Sequence, residues 1–152
     1  MTSELRILTV RQPWAWAIIH GGKDVENRVR NIAGDYRGPV AIHSGLLVDQ
    51  AGLDDHRVRG AITLDTLVND VFLTGNIIGV VDLVDVHDPT DMLFGHSPDH
   101  PTTCSLWAEP AAFHLVLENP RPLAEPIPFK GALGLRRMDE ETTAAVWSQI
   151  GA

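Results

Sequence analysis

The sequence predicts an α+β domain built on a small mixed or antiparallel β-barrel with two or three flanking helices. Short apolar runs bounded by Gly, Pro or Asp recur along the chain, which is the pattern of strands. Helical spacing is confined to a few segments, and these do not alternate with strands as they would around a parallel sheet. A length of 152 residues suits one domain, residues 1–152, that buries about 68–70% of its unfolded surface without disulfides or metal.

Each element has its own signal. Residues 5–10 (LRILTV) read as a short buried strand. Gln12 to His20 follow as a helix, with Pro13 suited to its first turn and Gly21-Gly22 ending it. From Lys23 to Arg30 the chain alternates, Val25 and Val29 on one face and Asp24, Glu26, Arg28 and Arg30 on the other, which predicts a half-buried strand. Gly34 and Asp35 mark a turn, and Arg37 to His43 is another strand. Residues 46–60 are acidic and fit neither period. Leu64, Leu67, Val68, Val71 and Phe72 have helical spacing, with Gly75 as a cap. Ile77 to His87 is the clearest strand. Residues 88–105, interrupted by Pro89, Pro98 and Pro101, form a long loop of the kind that is usually functional or disordered. Ala112 to Leu117 is a strand, after which Pro120, Pro122, Pro126 and Pro128 punctuate the chain. Gly131 to Leu135 is a last short strand. Asp139 or a neighbour then caps a C-terminal helix over about residues 139–150, with Glu140 and Glu141 in the first turn, where negative charge is favoured.

Charge narrows the function. With 12 Lys+Arg against 20 Asp+Glu the formal charge is −8, which argues against strong electrostatic attraction of the protein as a whole to nucleic acid. The distribution is uneven: residues 1–43 hold six cations and four carboxylates, whereas residues 44–100 hold ten Asp against Arg57 and Arg59. A basic zone on an acidic body can still hold an anion, because charges beyond a Debye length of about 8 Å are screened. Duplex DNA needs many cations along an extended face and is not an expected partner. No apolar run approaches the roughly 18 residues of a membrane span, and the N-terminus lacks a signal-peptide pattern. The single Cys104 cannot form an internal disulfide. These features predict a cytoplasmic protein without a membrane partner.

The most informative constellation is Gln12-Pro13-Trp14, then Gly22-Lys23, Glu26 and Arg28. It sets a cation, a carboxylate and a second cation at the exit of a glycine-ended helix. Lys23 and Glu26 can share one side only if the backbone turns near Gly22, since residues three apart on a straight strand face opposite ways. From spacing alone the pair is either a surface ion pair, worth about 0–1 kcal/mol, or a site in which the lysine polarises a carbonyl or acts as a base. His43-Ser44 ends a strand, but no third partner for a Ser/His hydrolase is recognisable. His96, His100 and Cys104 are spaced by four, yet Pro98 and Pro101 forbid the helix that would align them; a zinc site built from the loop is the alternative to the expectation of no metal, and no cofactor is expected. Trp14, Trp16 and Trp107 are candidates for stacking on an unpaired base, Trp107 being the one expected to be exposed, whereas Trp147 suits the core.

Gln12-Pro13-Trp14-Ala15, Gly22-Lys23-x-x-Glu26-x-Arg28 and Tyr36-Arg37-Gly38-Pro39-Val40-Ala41-Ile42-His43 together resemble the signature of the ASCH domain, of the PUA-like superfamily of small β-barrels. Ile78 to Val81 and the segments Phe113 to Leu117 and Pro126 to Gly131 resemble its later strands, so the likeness covers about residues 7–137. It implies a PUA-like barrel with a cleft beside the first helix, and binding of single-stranded RNA or a modified nucleotide. Some members are amidohydrolases acting on N4-acetylcytidine, with a Lys, a Thr three residues later and a distant Glu; at least one is a ribonuclease. Lys23 matches the lysine, but Glu26 stands where the threonine would be, which puts binding ahead of hydrolysis. Both lysines of a chain that otherwise uses ten arginines, Lys23 and Lys130, lie in these segments. The resemblance thus implies Lys23 and Glu26 as the central, candidate catalytic pair, and Gln12, Trp14, Arg28, Arg37, His43, Ser44, Trp107 and Lys130 as candidate ligand contacts. A protein-interaction module using the acidic face is the remaining alternative.

Overall fold

The computed structural model describes residues 4–63, 72–89 and 104–151. Six strands form one sheet: β1 (Arg6–Gln12), β2 (Val25–Arg28), β3 (Gly38–Val48), β4 (Asn76–His87), β5 (Phe113–Pro128) and β6 (Leu135–Arg137). Their order is β2-β5-β4-β3-β1-β6, with β1 and β3 parallel and every other pair antiparallel. The described helices are α1 (Trp14–His20), α2 (Gln50–Leu53), α3 (His56–Ala61) and α4 (Glu140–Ile150). No helix among the described residues is long and apolar enough to cross a membrane. Residues 64–71 of the helix expected from Leu64 to Phe72, and most of the loop expected over 88–105, lie outside the described residues; Phe72 itself packs edge-on against Trp16.

The mixed α+β architecture holds, but the sheet does not close into the expected barrel. Its edges β2 and β6 are only four and three residues long and share no ladder. β6 covers β1 at Arg6–Leu8 alone. Just beyond, Arg28 Nη2 donates to the Thr9 carbonyl at 2.9 Å, so a side chain from β2 stands where a closing backbone ladder would run.

Side-chain alternation explains why the central strands are apolar on both faces. Leu8, Ile42 and Val81 turn to one face and pack with Ile18 and Ile19 of α1. Their neighbours Ile7, Ala41 and Val80 turn to the other face and pack with Val146 and Trp147 of α4. A third cluster joins Trp16 and Ala17 of α1 to Val25, Val58 and Trp107. That cluster forms the base of the site described below.

Three local expectations need correction. Val29 is 90% exposed, because β2 ends at Arg28 and Val29 no longer alternates with Val25. β5 does not stop at Leu117 but runs through all four prolines to Pro128. Beyond Leu117, whose N–H still donates to the Asp24 carbonyl, no strand pairs its second edge, and its register against β4 shifts three times, so the N–H that proline lacks is not needed there. The last strand is Leu135–Arg137, following the positive-φ Gly134. In the acidic segment, Asp49 accepts from Gly52 N–H and Asp55 from Arg57 N–H, capping α2 and α3. Asp139 caps α4 in the same way, accepting from Thr142 N–H at 2.7 Å.

Candidate functional site: a cleft beside the first helix

The site begins with the end of α1. Gln12 is fully buried; its Oε1 accepts from Trp16 N–H and its Nε2 donates to the Leu73 carbonyl, both at 2.9 Å. The glutamine thus occupies one of the helix donors that a terminus leaves open. At the other end Gly22, at φ +78°, turns the chain so that Lys23 N–H returns to the Ala17 carbonyl at 3.0 Å. An L side chain is strained in that conformation. This turn swings the Lys23 side chain inward.

Lys23 and Glu26 face each other there, with side chains only 3% and 9% exposed. Lys23 Nζ donates to the Val25 carbonyl and lies 3.4 Å from Glu26 Oε1. The other carboxylate oxygen is 3.0 Å from Arg28 Nη2. One carboxylate therefore serves two cations, and Arg28 is itself held by the Thr9 carbonyl. Burial pushes the Lys23 pKa below the ordinary lysine value; the Glu26 charge opposes this and the nearby Arg57 charge adds to it.

Above this triad stands an aromatic wall. The Arg57 guanidinium carbon lies 5.8 Å from the Trp14 ring centroid and 5.3 Å from that of Trp107, within cation–π range of both. Arg57 is oriented by a forked pair to Asp55, at 2.9 and 2.7 Å, and by the Leu106 carbonyl at 2.9 Å. The fork holds the Asp55 pKa down at about 2. Trp14 is fixed by Nε1 donating to Asp49 at 2.9 Å. Asn27 clamps the opposite wall, donating to the Trp107 carbonyl at 2.9 Å and accepting from Glu109 N–H at 2.8 Å. Between these groups lies a cleft of about 600 Å³, lined among others by Arg11, Trp14, Lys23, Glu26, Arg28 and Arg57. That volume is within the range of small-ligand sites, about 300–1,000 Å³.

Five of the sequence-derived candidates, Trp14, Lys23, Glu26, Arg28 and Trp107, line this cleft. Trp107 is buried at 9% exposure, not the exposed ring expected, because it packs in the cluster with Trp16 and Val58. Trp16 and Trp147 are core residues. The remaining candidates lie elsewhere. Arg37 is exposed and donates to the Gly34 and Tyr36 carbonyls of its own turn. His43 is buried; its Nε2 meets the Phe129 carbonyl at 2.6 Å and so carries the proton, leaving Nδ1 to accept from Thr9 Oγ1 at 3.2 Å. Thr9 Oγ1 in turn accepts from Ala132 N–H, so His43 ties residues 129–132 to the sheet. Burial lowers its pKa and keeps the ring neutral. Ser44 is fully buried and donates to the Asn76 carbonyl, and Lys130 is exposed outside the cleft lining.

Arg11, Asn27, Arg57 and Glu109 were not among the candidates. A helix cap such as Asp55 two residues before an arginine hints at Arg57, but nothing local links residue 57 to residue 14 or 107. A second grouping escaped the sequence for the same reason. His87, Cys104 and His114 bring one ligand atom each within 4.8 Å of one another. His96 and His100 lie outside the described residues.

An open mixed sheet with a helix-flanked, charged cleft at its β2 edge defines the class of small α+β domain to which the chain should be compared. The ASCH domain model matches residues 8–126, and the chain belongs to the ASCH domain family. Among solved structures it is similar to the ASCH protein of Zymomonas mobilis, at 16% identity over 95% of this chain and 94% of that one, with a TM-score of 0.52. A tyrosine-to-phenylalanine variant of the same protein aligns with a TM-score of 0.56, over 96% of this chain and 98% of that one, again at 16% identity. These likenesses establish the fold.

Proposed function

We propose that the cleft binds a nucleotide or a short single-stranded RNA segment. The observation that carries this reading is the position of Arg57 against Trp14 and Trp107, above the buried Lys23–Glu26 pair and its half-buried partner Arg28. Four cations and two carboxylates line the cleft, so its balance is positive on a protein of charge −8. That balance suits one or two phosphates, and the half-buried Trp14 ring offers a face to an unpaired base. A duplex keeps its bases stacked and presents many more phosphates than the cleft can neutralise. Fluorescence anisotropy at physiological salt tests the proposal. Labelled single-stranded RNA should bind more tightly than duplex DNA, with affinity reduced in Lys23→Ala and Arg57→Ala. Equal or tighter duplex binding, unchanged by either substitution, overturns it.

A hydrolase acting on a nucleoside amide or on RNA is the second reading. Its support is the lowered pKa of Lys23, which brings the neutral, basic amine closer to working pH. Turnover of N4-acetylcytidine or RNA that vanishes in Lys23→Ala, with the fold intact, would establish it. Binding without turnover leaves the first reading alone.

A further inference from the structure

We propose that His87, Cys104 and His114 form a zinc site that anchors the wall of the cleft. His87 and His114 are direct partners across the antiparallel β4–β5 ladder, so their side chains leave the same face a few ångströms apart. Cys104 comes from the segment that precedes β5, and its Sγ stands 3.6 Å from His114 Nδ1. With Zn–S of about 2.3 Å and Zn–N of about 2.0–2.1 Å, a tetrahedral ion requires an S···N separation of about 3.6 Å. The two donors are therefore spaced as an ion would hold them.

The protonation of His114 is also right for a ligand. Its Nε2 lies 2.6 Å from the Glu109 carbonyl, which can only accept, so Nε2 carries the hydrogen and Nδ1 turns a lone pair toward Cys104. A histidine whose second nitrogen is bonded to a backbone carbonyl is the usual supported form of a metal ligand. His114 is fully buried, which fixes the ring. The ring of His87 is oriented from outside by Asp85, with Nε2 3.4 Å from the carboxylate. One thiolate and two imidazoles suit zinc over magnesium or calcium, which prefer oxygen. On binding, the Cys104 S–H bond breaks and the proton passes to solvent; both histidines bind neutral. A fourth position is left to water.

The consequence reaches the cleft. Residues 104–109 carry Trp107 and Glu109, and Ser105 Oγ donates to Asp24 beside Lys23. A metal on Cys104 fastens the start of this segment to β4 and β5, while Asn27 fastens its end.

Cobalt(II) titration of the full chain, freed of metal and kept reduced, tests the site. The expected result is one equivalent bound, with a near-ultraviolet thiolate-to-cobalt band and visible bands of a tetrahedral ion, all displaced by zinc. Cys104→Ser should abolish the near-ultraviolet band, and His87→Ala should weaken binding by at least about 10-fold. Neither residue is fully buried, so circular dichroism of these two variants should match the parent; His114→Ala tests folding as well and is not relied on. Absence of the thiolate band in the parent chain overturns the proposal. So does a band that survives Cys104→Ser, or binding lost in His96→Ala or His100→Ala but unaffected by His87→Ala.

Discussion

Lys23 Nζ lies 3.4 Å from Glu26 Oε1, and both side chains are almost wholly withdrawn from water although they line the cleft. The lysine is held more weakly protonated than in the unfolded chain, because desolvation outweighs its partner's charge. Between the lowered folded-state pKa and the unfolded value of about 10.4, the unfolded chain binds more protons, so stability rises with pH across that window. Lys23→Met should remove this rise. Urea unfolding of both proteins from neutral pH to about pH 10 checks it. An equal slope in the two proteins would show that Lys23 is not desolvated.

Glu26→Gln probes the same triad from its centre. The substitution keeps the shape but leaves Lys23 and Arg28 facing each other without a counter-charge. Removing one partner of a buried pair typically costs about 3–5 kcal/mol. Because Arg28 is about a quarter exposed and is partly compensated by solvent, the lower end is expected. A loss below about 1 kcal/mol in chemical denaturation would place the pair among surface ion pairs.

The Arg57 fork gives an acid-side signature. The folded-state pKa of Asp55, about 2, lies below its unfolded value. The stabilisation it brings is complete above about pH 4, the unfolded aspartate range, and is lost as pH falls toward 2. Asp55→Asn should therefore be less stable than the parent at pH 6, and the gap should narrow on acidification. Because Asn caps a helix about as well as Asp, a gap that stays constant from pH 6 to about pH 2 would mean that the charge pairing with Arg57 does not carry the effect.

Gly79 lies where α1 crosses β4. A Cβ there would come within 2.6 Å of Ile19 Cδ1 and 2.8 Å of the Arg121 carbonyl oxygen. The side chain can shift but the carbonyl belongs to the paired strand β5. Gly79→Ala should cost about 1–3 kcal/mol, the usual range for overpacking, measured by thermal or urea unfolding. A neutral result would mean that β5 gives way at Arg121 as readily as the Ile19 side chain does.

These sites also show what could be read from sequence and why the rest could not. β4 was legible because Ile77 to Val81 is apolar on both faces, as a central strand between α1 and α4 must be. β5 was cut short because proline argues against a central strand, and only the pairing reveals that its far half has a free edge. The inward turn of Lys23 follows from Gly22, a local signal, so the Lys23–Glu26–Arg28 part of the site was visible within six residues of chain. Arg57, Trp107 and Glu109 join it only through tertiary contacts, Arg57 against Trp14 and Asn27 against Trp107 and Glu109, which no periodicity encodes. His43 looked like a rim residue because it was expected to end its strand; β3 continues to Val48, and the ring is consumed by Thr9 and Phe129.

The salt dependence of RNA binding follows from which cations are already occupied. Lys23 and Arg28 share Glu26, and Arg57 is forked to Asp55, so each enters a complex partly neutralised. Arg11 is the exposed cation of the lining. One or two phosphates can be contacted on these terms. Each contact to a single strand contributes about −0.7 to the slope of log affinity against log salt, so the expected slope lies between about −0.7 and −1.4. Anisotropy titrations of a short single-stranded RNA over a series of salt concentrations measure it directly. Arg11→Ala should flatten the slope by about 0.7, whereas Trp14→Ala should lower affinity at every salt concentration by the loss of a stacking face and leave the slope alone. A slope steeper than about −3 would require four or more phosphates on the protein. That would move the nucleic-acid contact off this cleft and onto a surface with more free arginines than it has.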